Sequence, residues 1–230
     1  MKKIILSAIC AFAVAPLQAQ ETDSQFHMSF GTCVATTSGL SFTVSDVVPF
    51  DARGGFYFDE GFMTSRMIGE SSLATVRGFD MAITYIGLGD QALALGEEIG
   101  QPAGSYLVDA RASSKQSSLG KLSLEMPLGL AWFHNDKRAF TVGAYGAWHV
   151  VALTQEVYKA DDGGYRVTES SQGRLNSSRF GYGVFADVRL GKVWSLYLKS
   201  ELTPFFRQRE DLATPMFTSN AIGMRINIGD

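Results

Sequence analysis

Runs in which apolar residues take every second position constrain this chain more than any other feature. In LGKLSLEMPLGLAWF, Leu122, Leu124, Met126, Leu128, Leu130 and Trp132 alternate with Lys121, Ser123, Glu125, Pro127, Gly129 and Ala131. In SRFGYGVFADVRLG, Phe180, Tyr182, Val184, Ala186, Val188 and Leu190 oppose Arg179, Gly181, Gly183, Phe185, Asp187 and Arg189. VWSLYLKSELTPFF and NAIGMRINIGD repeat the pattern, the last with Ile222, Met224, Ile226 and Ile228 against Gly223, Arg225, Asn227 and Gly229. A period of two predicts strands with one apolar and one polar face. Each apolar face runs for about ten residues, the length of a tilted strand that crosses a bilayer.

AFTVGAYGAWHVVALTQEVYK is a longer strand, with Phe140, Val142, Ala144, Trp148 and Val150 on one face. Five further segments qualify in the first half: FHMSFGTCVATT, GLSFTVSDVV, GGFYFDEGFMTSRMIG, LATVRGFDMAITYIGL and SYLVDARAS. That makes ten candidates, with residues 89–104 as a short helix or loop. The links alternate in length. HNDKR and Gly191-Lys192-Val193 are short, whereas KADDGGYRVTESSQGRLNS and RQREDLATP are long and polar. Short turns at one end and long loops at the other describe an up-and-down membrane barrel with both termini on the turn side, the periplasm. Counted with ten strands, residues 89–104 fall on the turn side, where they are too long. The expectation is an all-β, antiparallel up-and-down transmembrane barrel of eight strands, with ten as the alternative.

Register follows from the same pattern. For the apolar faces around Gly191 to coincide, paired residue numbers must have an even sum, because a one-residue slip turns every side chain over. A three-residue loop, Gly191 to Val193, then sets Leu190 against Trp194 and Asp187 against Tyr197. Lys199 lies diagonally from Asp187.

The N-terminus has the form of a secretory leader: MKK, then the apolar IILSAICAFAVA, then LQA before QETDSQ. Residues 1–19 are expected to be removed, leaving residues 20–230 as one outer-membrane barrel domain. Cys10 leaves with the leader, so Cys33 is the single cysteine of the mature chain and no internal disulfide forms. Losing the two leader lysines changes the formal charge from −3 to −5. A mildly acidic chain without basic runs excludes nucleic acid as a partner.

Alternation alone fits an exported soluble β-barrel as well as a membrane one. Apolar faces almost free of charge favour lipid outside. So do the aromatic residues near strand ends: Trp132-Phe133, Trp194, Phe205-Phe206 and Phe217. The polar faces mix glycine with opposite charges, Gly181, Gly183, Asp187, Arg189, Lys199, Glu201, Arg225 and Glu125, as a filled narrow lumen requires. None of Lys121, Arg189, Lys199 or Arg225 should point outward.

The run SRFGYGVFADVRLGKVWSLYLKSELTPFF followed by DLATPMFTSNAIGMRINI resembles the C-terminal half of Bacteroidetes-type outer-membrane β-barrels, the PorT-like barrels. KLSLEMPLGLAWF and AFTVGAYGAW are similar to the two preceding strands of that family. The resemblance covers residues 119–230 and implies a Gram-negative outer-membrane location, membrane lipid as surroundings and the barrel assembly machinery as a partner. Barrel signals in such proteins usually close on an aromatic residue, whereas this sequence closes on Ile228-Gly229-Asp230. The resemblance brings no catalytic residues.

No catalytic, cofactor-binding or metal-ligating residue is nominated. His27, His134 and His149 have no Cys or second His at ligand spacing. Asp161-Asp162-Gly163-Gly164 lacks the later acidic residues of a calcium loop. His149 faces the lumen by parity, with no Ser or Asp beside it on its own strand; a hydrolase would need one from a neighbour. The expected role is therefore structural or interactive, with the external partner open. A small pore and a lipid-modifying barrel enzyme are the alternatives.

Overall fold

The computed structural model describes residues 22–36, 55–101, 104–111, 114–135, 138–160, 165–173, 175–208 and 215–228. Eleven strands follow in order: β1 (Thr22–Thr36), β2 (Phe56–Met67), β3 (Leu73–Gly87), β4 (Gln91–Leu95), β5 (Ser105–Asp109), β6 (Ser114–Asn135), β7 (Arg138–Lys159), β8 (Arg166–Gly173), β9 (Phe180–Arg189), β10 (Trp194–Glu201) and β11 (Thr218–Ile228). Eight of them close a ring in the order β1-β2-β3-β6-β7-β9-β10-β11, and β11 returns to β1. All ring pairings are antiparallel. Closure leaves no unpaired edge, which is the main hazard of an open sheet.

Eight, not ten, strands form the wall. SYLVDARAS contributes β5, but it pairs with β4 in a hairpin outside the ring. Residues 89–104 hold β4 and a 3-10 turn, Gly96–Ile99, rather than only a loop or helix. With β4 and β5 off the wall, the whole connection between β3 and β6 lies at the loop end, so the mismatch in connection lengths disappears. The candidate strand GLSFTVSDVV, residues 39–48, lies outside the described residues, as do the leader and Asp161 to Gly164. Turns between β2 and β3 and between β9 and β10 are short, and all the long connections gather at the opposite end.

The register holds as expected. Tyr197 pairs with Asp187, and the Leu190 N–H donates to the Trp194 carbonyl at 2.8 Å. β7 carries one extra residue: Leu122 pairs with Val151 but Ser123 with His149, so Val150 bulges. Below the bulge odd residues of β7 face inward, and above it Ala152 does. One bulge thus keeps β7 facing the lumen on both sides of Val150.

The outside is apolar. Leu128, Leu130, Trp132, Phe140, Val142, Trp148, Phe180, Tyr182, Ile222 and Met224 are all exposed there. Leu122 to Trp132 spans ten residues of a tilted strand, and rows of this kind give a band about 25 Å tall. Glu60 also faces outward on β2, between Met28 and Met81, so the band is not wholly uncharged. Trp132, Trp194 and Phe140 ring the turn end. Phe205, Phe206 and Phe217 do not join a girdle: they are at most 1 % exposed and pack on one another, with ring centroids 5.0–5.6 Å apart. Together with Leu88, Leu119 and Leu175 they cover the loop end of the lumen. The bulk of three buried rings stabilises that lid more than interfacial contact would, since each ring loses all its water.

The lid is tied down. Ser178 N–H donates to the Phe205 carbonyl at 2.9 Å, and Ser177 bridges to Phe206. Leu175 and Asn176 adopt left-handed backbone, φ 42° and 55°. Their conformation is held by the β4–β5 hairpin: Ser105 Oγ donates to the Leu175 carbonyl at 3.0 Å and receives the Asn176 amide at 3.3 Å.

Candidate functional site

The polar faces of the eight strands converge on the lumen, and every cation expected inside is inside. Lys121, Lys199 and Arg225 are at most 6 % exposed. Arg189 lines the turn end and donates to Gln25 Oε1 at 2.7 Å. Large charged side chains fit because small residues face them. A Cβ on Gly181 would stand 2.6 Å from His149 Nε2 and 2.9 Å from Glu201 Oε1, so only glycine leaves room there.

Three charged layers stack along the axis. Nearest the loop end, Lys121 pairs with Glu201, whose carboxylate also receives Ser219 Oγ at 2.9 Å. Lys121 lies over the Phe205 ring at 4.9 Å, which joins this layer to the lid. Below it, Lys199 pairs with Glu125 and donates to the Tyr57 hydroxyl at 2.9 Å. Tyr145 stacks beneath the same ammonium at 4.3 Å. The Tyr57 hydroxyl donates onward to Asp59, leading into the third layer. There Arg225 lies between Asp59 at 3.7 Å and Asp187 at 3.8 Å, donates to Ser29 Oγ at 2.8 Å and covers the Tyr197 ring at 4.1 Å. Lys199 is diagonal to Asp187 in register, yet its ammonium goes to Glu125, leaving Asp187 to Arg225. Buried ions remain stable only when paired and hydrogen-bonded in this way.

His149 has a serine after all, from the neighbouring strand. Its Nδ1 is 2.8 Å from Ser123 Oγ, and its Nε2 is 3.0 Å from Glu201 Oε1. A serine, a histidine and a carboxylate in line resemble the parts of a nucleophile relay. Substrate would have to reach Ser123 Oγ, and Ser123 is 2 % exposed beneath the lid. A small lumen cavity, about 30 Å³, lies at the turn end against Gln25, Met63, Phe133, Asp187 and Arg189; neither Ser123 nor His149 lines it. In this setting the three groups bind β6, β7 and β10 together.

His134 is exposed at the turn end. Cys33 faces the lumen among apolar side chains as a free, buried thiol. His27, on the first ring strand, meets two carboxylates that spacing along the chain does not reveal: Asp80 at 3.2 Å and Asp59 at 3.8 Å.

Outside the lumen, β7 and β8 continue as a ribbon beyond the ring. Arg111 forks onto Glu169 at 2.9 and 3.1 Å and stacks on Tyr158 at 4.0 Å. The Tyr158 hydroxyl, and then the Arg111 guanidinium, hold the Glu169 carboxyl below the usual carboxylate range. The pair is exposed and screened, so it orients the ribbon more than it stabilises the barrel.

No family model matches the chain, and no curated protein matches it. Among solved structures it is similar to Ail, the attachment invasion locus protein of Yersinia pestis, in complex with the heparin analogue sucrose octasulfate: 7 % identity, 91 % of this chain and 100 % of that chain, TM-score 0.39. Ail without that ligand gives 9 % identity, the same coverage and a TM-score of 0.37. A triple mutant of the Rh. blastica porin gives 11 % identity over 90 % of this chain and 100 % of that one, TM-score 0.20. Overlap at these scores is partial, and the assignment of an eight-strand barrel rests on the closed ring of hydrogen-bonded strands itself.

Proposed function

We propose that this chain is an integral outer-membrane β-barrel of the PorT-like kind, which acts through its exposed loops rather than by catalysis or conduction. The observation that carries this reading is the inversion of the barrel. Its outside is a band of leucine, isoleucine, methionine and aromatic side chains, while Lys121, Glu125, Asp59, Asp187, Lys199, Glu201 and Arg225 are sealed within. In water such an outside is unfavourable at roughly 25 cal/mol per Å² of apolar surface. Hydrocarbon removes that cost, and a closed ring meets the requirement that every wall strand be hydrogen-bonded within the protein.

In this reading the short turns face the periplasm, the surrounding lipid is the partner of the wall, and the assembly machinery inserts it. The aromatic lid and the filled lumen argue for a plug. Purified protein in planar bilayers is accordingly expected to show no steady ohmic conductance; a reproducible single-channel step would favour the pore alternative.

The direct test is topology. The folded outer-membrane fraction should change its gel mobility on boiling. Protease added to intact cells should nick the connection that leads into β8, where Tyr165 is 75 % exposed. Cleavage only after the outer membrane is opened would invert the topology. Folded monomer that remains soluble without detergent would restore the soluble-barrel alternative.

A further inference from the structure

We propose that His27, Asp59 and Asp80 form a site for one divalent transition-metal cation of zinc-like chemistry inside the lumen. The inference rests on the lumen alone and holds whether or not lipid surrounds the barrel. Three adjacent strands build the site. His27 on β1 pairs in register with Gly61 on β2, which pairs with Asp80 on β3, and Asp59 stands one inward position along β2. All three residues are at most 2 % exposed, and their ligand atoms lie within 4.8 Å of one another.

Two independent features show that these atoms lean toward one another without being fully satisfied. First, His27 Nδ1 and Nε2, Asp59 Oδ1 and Asp80 Oδ1 are buried and make no hydrogen bond. Buried polar atoms without partners are rare because each forfeits its hydration. Second, the row has a gap: a Cβ on Gly61 would stand 2.3 Å from Asp80 Oδ1. The missing side chain is what lets the imidazole and the carboxylate lean together.

The separations suit coordination. Bonds of about 2.0–2.2 Å to nitrogen and oxygen place neighbouring ligand atoms roughly 3–3.5 Å apart. The Nε2 to Oδ1 distance is 3.2 Å to Asp80, inside that range, and 3.8 Å to Asp59, which must close by a few tenths of an ångström on binding. Charge points the same way. Lys121 offsets Glu201, Lys199 offsets Glu125, and Arg225 is shared by Asp59 and Asp187; the ion-pair partner of Asp80 is His27. Even with Arg189 near Asp187, carboxylates outnumber the fixed cations of the lumen, and a dication between Asp80 and Asp59 offsets that excess.

One imidazole with two carboxylates favours zinc and its first-row neighbours over magnesium or calcium, which take oxygen ligands only. The Tyr57 hydroxyl and Arg225 hold the other oxygen of Asp59, leaving Oδ1 to the site. The turn-end cavity comes near the site without reaching it: Gln25 lies one inward position below His27, and Arg225 borders both the cavity and Asp59, while none of the three ligands lines it.

The test uses folded, chelator-stripped protein in detergent, titrated with Zn²⁺ against a chromophoric chelator. Saturable binding of one equivalent is expected, with visible ligand-field bands on Co²⁺ loading that Zn²⁺ displaces and Mg²⁺ does not. Loss of a residue that merely orients a metal ligand already costs about 10–100-fold in affinity, so His27→Gln and Asp80→Asn should each weaken Zn²⁺ binding by at least about 100-fold. Both variants keep side-chain shape, and their heat-modifiable migration reports folding. X-ray absorption of the zinc-loaded wild-type protein provides a check that needs no variant: one imidazole among oxygen ligands supports the site. Absence of saturable binding, binding unchanged in both folded variants, or a sulfur or multi-imidazole shell would each overturn it.

Discussion

Glu201→Ala is expected to lower the stability of the folded barrel by about 3–5 kcal/mol, the cost of stranding a buried charge. Glu201 neutralises Lys121, receives Ser219 Oγ and touches His149 Nε2, all within a layer closed off by the Phe205 lid. Its removal leaves an ammonium in a water-poor lumen with an aromatic face as its remaining neighbour. The measurement is urea unfolding of protein inserted in lipid vesicles, followed by tryptophan fluorescence. A second variant separates pairing from packing. Lys121→Met with Glu201→Leu removes both charges and retains volume, and such replacements are often neutral or stabilising. The double variant should therefore recover most of the loss. A loss of less than 1 kcal/mol in Glu201→Ala would mean that water reaches this layer freely.

Met126→Arg should have a destabilising effect of comparable size if hydrocarbon lies outside, and almost none if water does. Met126 is 67 % exposed near the middle of the Leu122–Trp132 row. At the mid-plane of a bilayer, arginine on the lipid face costs about 2–4 kcal/mol. On a water-exposed face the same change would stay within about ±0.5 kcal/mol. Unfolding in vesicles reads the difference directly, and a neutral result would remove the hydrocarbon from the proposal.

The alternation of Leu122 to Trp132 and of Phe180 to Leu190 is legible because a strand repeats every two residues and lipid or lumen imposes one polarity per face. The Asp187–Tyr197 pairing is legible for the same reason, since a register off by one would invert both faces. What alternation does not encode is the neighbour. SYLVDARAS alternates like a wall strand but pairs with residues 91–95 in a loop-end hairpin. RVTESSQG reads as polar loop, yet it forms β8 because β7 extends past the ring and offers it a free edge.

Phe205, Phe206 and Phe217 show a related ambiguity. An aromatic side chain beside a strand end is the same letter whether it meets head groups or folds back over the lumen, and long-range packing decides between them. The lumen contacts are hidden for a geometric reason. Ser123, His149 and Glu201 stand on three strands and meet only through the registers of β6 with β7, β7 with β9 and β9 with β10. His27, Asp59 and Asp80 meet through the registers of β1, β2 and β3. A signal was present even so: His27, Asp59 and Asp80 all occupy inward positions, and Gly61 breaks the inward row of β2 beside Asp59.

The layered ion pairs bear on the order in which the chain matures. Glu125, Lys121 and Asp59 are made early, whereas Lys199, Glu201 and Arg225 arrive on the last two hairpin arms. Until those arms dock, a half-finished wall would hold unneutralised ions, in the proposed bilayer setting against hydrocarbon, so partial cylinders are disfavoured and sealing is cooperative. Truncation before residue 194 should therefore yield material cleared by proteolysis rather than a smaller barrel.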